Sequence, residues 1–407
     1  MKRLLSVMSV FLLIIAAVAI FSPRNNSTIP SQVANAAIVA HTYRYYTLKG
    51  PEGFVLARAS KGAQEQPLGT PQPLIPLGDG FGQYETDSIG SIQLSPDGQY
   101  LAIDGVREAG EQVWIYDMQR MTVALQPPAV VGNFLHWLPG GHSFLYRPMF
   151  PMGPDAPMDS NGWNPGLWIV DAATGAHKNL DIGAPSADLI DAAASPDGSR
   201  IIYSTTPGLG MGSDTFLMLS DGSNRAHLFS TAANVQSIAG LFAWSPDGTR
   251  IAYERLSDSS VPFLPAGLWV MDSQGGHQQR LTDVDGGHGY GPVWSPDGRK
   301  IAFVARTNVS DQRADVQAQA LQSAIGVVDI ASTRSWLVDS SAQTGAQLSV
   351  DPIWTSDSAS VTFTAMNPAN LVVGGTPRYW STSIVGVQNS SQPIPLTPTI
   401  AHVVAEG

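Results

Sequence analysis

The stretch that most constrains this chain is Ala243-Trp244-Ser245-Pro246-Asp247-Gly248-Thr249-Arg250-Ile251-Ala252-Tyr253, because it recurs almost unchanged from Val293-Trp294-Ser295-Pro296-Asp297-Gly298 to Ile301-Ala302-Phe303. Weaker copies are Leu94-Ser95-Pro96-Asp97-Gly98, Ser195-Pro196-Asp197-Gly198, Trp137-Leu138-Pro139-Gly140-Gly141 and Trp354-Thr355-Ser356-Asp357-Ser358. Aligned on the proline position, the copies fall at 96, 139, 196, 246, 296 and 356, in steps of 43, 57, 50, 50 and 60 residues. A supersecondary unit repeating at that period means a propeller or a solenoid. Each copy has a local mechanism. An apolar run ends at the turn, Pro presets φ, Asp suits the next position, and Gly accepts the left-handed conformation that closes a hairpin with a bulge.

A third apolar run comes after every hairpin: Val113–Asp117, Leu167–Asp171, Phe216–Leu219, Leu268–Asp272, Ile325–Asp329 and Tyr379–Ser383. A fourth comes after a further turn, as in Gln279-Arg280-Leu281-Thr282. Four short antiparallel strands per unit make a propeller blade, not a helical or leucine-rich solenoid. Residues 42–76 hold three more strands with no Ser-Pro-Asp-Gly hairpin before them, and Ile400–Val404 is one strand left over. Donating a terminal strand to an incomplete blade removes exposed sheet edges. The pattern therefore favours seven blades, the C-terminal strand completing the N-terminal three. The alternative is six blades, with the N-terminal strands packed as an extra edge.

The Trp-Ser-Pro-Asp-Gly units, with Leu268-Trp269-Val270-Met271-Asp272 and Arg280-Leu281-Thr282 between them, resemble the propeller repeats of the TolB family. They are also similar to the propeller domains of prolyl-oligopeptidase-type peptidases. The resemblance spans about residues 91–397. It implies a rigid propeller that meets another envelope protein or peptide. This chain departs from TolB in that only about 40 residues precede the first strand, too few for a recognisable N-terminal α/β domain.

Lys2 and Arg3 precede an uncharged apolar run from Leu4 to Phe21. That is the pattern of a signal peptide or an N-terminal membrane anchor over residues 1–21, and it places the rest of the chain outside the cytoplasmic membrane. Residues 22–40 read as a polar linker and 41–407 as the propeller. With no cysteine in the chain, disulfides, thiolate metal sites, Cys nucleophiles and a lipid-modified Cys anchor are all excluded. A net charge of −11 argues against nucleic acid as a partner. The membrane is expected to be met only through the N-terminal segment, and the propeller to be a monomer.

The connections between the second and third strands vary in length: Phe150 to Gly166, Leu256 to Gly267 and Arg306 to Ala324. Ser310 to Ala318 has the composition of a short helix. Length variation confined to one face of a repeat protein is where recognition is usually placed. Two sets of tryptophans, Trp137, Trp244, Trp294 and Trp354 before the turns and Trp114, Trp168, Trp269 and Trp380 in third strands, are assigned by their register to packing between blades. Trp163 lies in an insertion instead and is the candidate partner contact.

Segments joining one blade to the next reach the mouth of the central channel. They carry Glu85, Asp87, Asp188, Asp191, Asp283, Asp285, Asp339 and Asp351, with His288 and Tyr290 alongside. Converging acids would form an anionic funnel suited to a cation or a basic peptide. Candidate ligand-binding residues are Glu85, Asp87, Asp191, Asp283, Asp285, His288, Tyr290 and Asp351. Asp283 to Tyr290 has the spaced oxygens and glycines of a loose Ca²⁺ loop, without the EF-hand pattern, so Asp283 and Asp285 are the metal ligands if a metal binds. No cofactor is otherwise expected. No Gly-x-Ser-x-Gly elbow, His-Glu-x-x-His motif or phosphate loop occurs, and no catalytic residue is assigned. Two functions stay open: a non-catalytic binding module, and a channel-mouth hydrolase or lyase acting on a polysaccharide or a lactone, with or without a metal.

Overall fold

The computed structural model describes residues 43–50, 53–60, 72–76, 88–107, 110–125, 131–149, 166–180, 182, 188–208, 211–232, 238–256, 266–285, 290–315, 320–367, 378–385, 389–390, 393–395 and 402–406. Six blades are built from consecutive antiparallel strands. Blade I comprises Ser88–Leu94, Tyr100–Arg107, Gly110–Asp117 and Thr122–Leu125. Blade II comprises Val131–Trp137, Ser143–Met149, Leu167–Asp171 and His177–Leu180. Blade III comprises Asp188–Ala194, Arg200–Thr206, Ser213–Leu219 and Ala226–Thr231. Blade IV comprises Ile238–Trp244, Arg250–Leu256, Ala266–Asp272 and Gln279–Val284. Blade V comprises Val293–Trp294, Lys300–Arg306, Ser323–Asp329 and Ser335–Leu337. Blade VI comprises Leu348–Trp354, Ser360–Met366 and Arg378–Val385, the last paired with the short strands Asn389–Ser390 and Ile394–Pro395.

The remaining strands form a composite sheet in the order His402–Glu406, Tyr43–Gly50, Gly53–Ser60, Gln72–Pro76. The sequence favoured seven blades, the C-terminal strand completing the N-terminal three; the structure has six repeat blades and, beside them, this one sheet drawn from both ends of the chain. The difference arises from its strands, which carry no Ser-Pro-Asp-Gly hairpin. The C-terminal strand pairs Tyr43–Gly50 antiparallel, with Arg44 opposite Glu406, and also lies against the first strand of blade I. Between Gln312 and Asp315, inside the stretch expected to be helical, there is one turn of 3-10 helix.

The repeat hairpins are built alike. In each Ser-Pro-Asp-Gly turn the Ser hydroxyl donates to the Asp carboxylate two residues on, at 2.6 Å for Ser95, Ser195, Ser245 and Ser295. The Gly amide donates back to the Ser carbonyl at 2.8 Å, with φ between +67° and +70°. That is the left-handed region, which glycine enters without steric cost. In the last copy Ser358 takes the glycine position at φ +61°. Because the Ser245 hydroxyl also accepts from the Arg250 amide at 2.9 Å, Ser245→Ala should cost about 1–2 kcal/mol in urea unfolding. A loss below about 0.3 kcal/mol would show that the turn does not depend on this hydroxyl.

Successive first strands contact one another from blade II to blade VI, which places them innermost. The core is a series of layers between blades. Trp137 Nε1 donates to the Gln93 carbonyl at 3.0 Å, Trp244 to Ala193 at 3.2 Å, Trp294 to Ala243 at 2.9 Å and Trp354 to Val293 at 3.0 Å. Each acceptor lies two residues before the turn Ser of an earlier repeat copy. The assignment of this column to inter-blade packing is thus shown residue by residue. Trp114 and Trp168 are buried as well. The side chain of Trp380 lies outside the described residues.

Candidate functional site

First strands of blades I, II, III, IV and VI each carry a register shift a few residues before the hairpin. A bulge re-aims the side chains beside it. In blade VI it sets Asp351 at φ +56°, a conformation that aspartate tolerates better than most residues. The Asp351 carboxyl is 4% exposed and its Oδ1 has no hydrogen-bond partner. Burial pushes its pKa well above the ordinary carboxylate range.

Asp285 is 1% exposed and Tyr290 2% exposed, on the connection between blades IV and V. The Asp285 amide donates to the Val304 carbonyl at 2.9 Å, which ties the connection to the second strand of blade V. The Tyr290 phenol is raised well above its usual value, by burial first and then by the nearby Asp351 and Asp285 charges.

A fourth member was not expected from the sequence. Glu254, in the second strand of blade IV, is fully buried and neither carboxylate oxygen has a hydrogen-bond partner. Burial raises its pKa well above the usual glutamate value, and the Asp285 charge pushes it the same way. Aligning the repeats places Glu254 in one column with Arg147, Ser204, Val304 and Thr364. Arg147 donates from Nη1 to the Leu189 and Ile190 carbonyls of blade III at 3.1 and 2.9 Å, and Ser204 donates to the Ala239 carbonyl of blade IV at 2.6 Å. That column therefore faces the next blade. The detectable signal was a charged residue directly after the apolar Ile251-Ala252-Tyr253, where the neighbouring copies place Ser and Val.

Glu254, Asp285, Tyr290 and Asp351 thus form one electrostatically connected group drawn from blades IV, V and VI. A carboxyl whose ionisation is opposed both by burial and by a neighbouring carboxylate marks a functional-site candidate. The other expected residues sort differently. Asp191 is 4% exposed, and its Oδ2 accepts the Phe242 amide at 2.8 Å, binding blade III to blade IV. Asp283 is exposed and ion-paired with Arg280. Asp188 is exposed. Asp339 accepts from the Ile325 amide and the Ser349 hydroxyl, both at 2.5 Å. Glu85, Asp87, Trp163 and His288 lie outside the described residues. Among the described residues no group of three or more His, Asp or Glu side chains is placed to hold a metal ion.

Fold and site define a β-propeller with a buried acidic group drawn from blade IV, the connection to blade V, and blade VI. No family model matches the sequence, and no curated protein matches it. Among solved structures the chain is similar to a putative TolB from Agrobacterium tumefaciens, at 20% identity and a TM-score of 0.44, over 70% of this chain and 88% of that one. It is similar to TolB from Acinetobacter baumannii at 16% identity and a TM-score of 0.43, over 72% of this chain and 62% of that one. A prolyl endopeptidase structure is similar at 12% identity and a TM-score of 0.49, over 95% of this chain and 52% of that one. The resemblance seen in the repeats recurs in these comparisons, while the assignment of the fold rests on the sheets themselves.

Proposed function

We propose that the protein is an extracytoplasmic propeller that binds a protein or peptide partner without covalent chemistry, recognition falling at the inner-strand ends and the long connections of the same face. The observation that supports this most is the Glu254, Asp285, Tyr290 and Asp351 group. The hairpin serines and aspartates are committed to closing their own turns and the pre-turn tryptophans to packing between blades, whereas Glu254 breaks the repeat and lies beside Asp285. Buried carboxyls that resist ionisation are poised for a cationic group, whose approach lowers their pKa and offsets the cost of charging them. A lysine or arginine side chain from a basic peptide segment supplies such a charge. The extracytoplasmic location rests on Lys2, Arg3 and the apolar run from Leu4 to Phe21. Among the described residues, no helix is long and apolar enough to cross a membrane.

The test is capture from an envelope extract on the immobilised chain and on a variant carrying Asp283→Asn, Asp285→Asn and Asp351→Asn. A protein retained by the first and lost by the second, with both baits folded by circular dichroism, supports the reading. Equal retention by both sinks the site assignment. A second reading, a hydrolase or lyase acting on a polysaccharide or a lactone, is favoured by one feature. Burial first, and then the Asp285 charge, raises the Glu254 pKa well above the usual glutamate value, as a general acid requires. It requires oligosaccharide or lactone turnover that Glu254→Gln abolishes.

A further inference from the structure

Trp269 departs from Trp114 and Trp168, the third-strand tryptophans whose side chains are described. Trp114 and Trp168 are 3% and 6% exposed, whereas Trp269 is only partly buried and its indole Nε1 has no hydrogen-bond partner. The Arg255 guanidinium lies over its ring, Cζ 4.0 Å from the centroid. The same guanidinium is 5.8 Å from the Tyr253 ring and 5.6 Å from Phe229, which comes from the last strand of blade III. Arg255 Nη2 donates to Gln278 Oε1 at 2.7 Å and to the Tyr253 hydroxyl at 3.3 Å. Its Nε is buried without a partner, whereas Nη1 is not fully buried and makes no hydrogen bond. Among the described residues no carboxylate pairs with it, in a chain with 33 acidic and 22 basic side chains. Gly267 leaves room beside the indole, for a Cβ there would meet Trp269 Nε1 at 2.8 Å and Arg280 Nε at 3.1 Å.

A half-buried guanidinium with no counter-ion is costly to keep, since its hydration is reduced and nothing replaces it. The aromatic faces offset part of that cost. Nη1 is the nitrogen left with unused N–H donors, and a charge-assisted hydrogen bond to a carboxylate oxygen would use them. We propose that the surface at Arg255, where Phe229 of blade III meets blade IV, is a second binding site, distinct from the acidic group, which takes a peptide carboxylate flanked by an apolar side chain. The carboxylate meets Arg255 Nη1, and the apolar group lies against Phe229. A sugar acid fits less well, because the guanidinium already covers the indole face on which a pyranose ring would stack. A chain terminus and an Asp or Glu side chain present the same carboxylate, and the probes separate them.

The experiment titrates the intact ¹⁵N-labelled chain with acetyl-Ala-Leu-Phe bearing a free terminal carboxylate, its C-terminal amide, acetyl-Leu-Glu-Leu-amide, and D-glucuronate. The Trp269 indole N–H signal is followed, assigned by its loss in Trp269→Phe. A saturable shift with one of the two peptide acids is expected, at least tenfold weaker for the amide and in Arg255→Lys. The acid that binds more tightly identifies the carboxylate as a terminus or a side chain. Comparing acid with amide uses the unaltered protein, so it decides even if Arg255→Lys does not fold. Equal binding of acid and amide, tighter binding of glucuronate, or no saturable shift with any acid at millimolar concentration overturns the proposal.

Discussion

Trp294→Ala is expected to destabilise the propeller by about 3–5 kcal/mol, the range for truncating a large buried aromatic side chain. Trp294 is 1% exposed. It packs in one cluster with Ala252, Ala266, Leu268 and Val270 of blade IV as well as with Ile301 and Phe303 of its own blade. Truncation therefore opens a cavity between two blades. It also leaves the Ala243 carbonyl without its indole donor. Trp294→Phe separates the two effects. It keeps most of the apolar contact and loses the hydrogen bond, so the expected cost is about 1–2 kcal/mol. Trp137 and Trp354 should behave alike, because each sits at the same register and packs on the earlier copy, Trp137 against Val113 and Ile115 and Trp354 against Val293 and Ala302. Urea unfolding of the four variants checks this. If Trp294→Ala costs under about 1 kcal/mol, the blades are not held together by this column.

That column and the hairpins were legible because they depend on short-range rules. A Ser-Pro-Asp-Gly turn closes with its own side chains, and its period fixes which residue returns to the same place in the next blade. The composite sheet was legible in part. Its strands could be counted from Tyr43 and Ile400, but without the repeat hairpin nothing in the sequence ranked it beside the six blades. The acids were harder. Asp191, Asp285 and Asp351 were expected to line a solvated mouth, yet all three are buried. The residues just before a first strand read as a polar connection in sequence, but the inner strands converge and register shifts turn their side chains between blades. Asp191 consequently became a tie to Phe242 rather than a free ligand. Glu254 was missed because it lies in a strand rather than in a connection, and the informative contrast was between aligned strand positions: Ser204, Glu254, Val304. Trp269 was grouped with its repeat equivalents, and only the structure shows Arg255 lying over it.

Stability should peak on the acidic side of neutrality and fall as the pH rises, because the buried carboxyls work against folding once they would ionise. Asp339 shows the sign. Burial raises its pKa from 3.8 to about 6, against the opposing hydrogen bonds from Ser349 and Ile325. Below about pH 4 the carboxyl is protonated in both states and costs nothing. Between about pH 4 and 6 the unfolded chain releases the proton while the folded chain holds it, so about 3 kcal/mol of stability is lost. Glu254 and Asp351 act in the same direction, and their loss continues to a higher pH because both are raised well above the carboxylate range. The turn aspartates act in the opposite sense. Asp197 is held below its usual pKa, chiefly by the Ser195 hydroxyl, and Asp247 is lowered by Ser245 and Thr249 despite the opposing effect of burial. Their contribution is present at neutral pH and disappears as the pH falls through their folded pKa values, below about 4. The two trends meet near pH 4–5, where Tm should be highest. Glu254→Gln removes the charge and nearly preserves the shape, so it should raise Tm above pH 6 and flatten the decline, with little change at pH 4. Thermal unfolding from pH 3 to 8 tests this. A Glu254→Gln chain that is less stable than the parent at pH 8 would mean that the ionised carboxylate is already compensated in the folded protein.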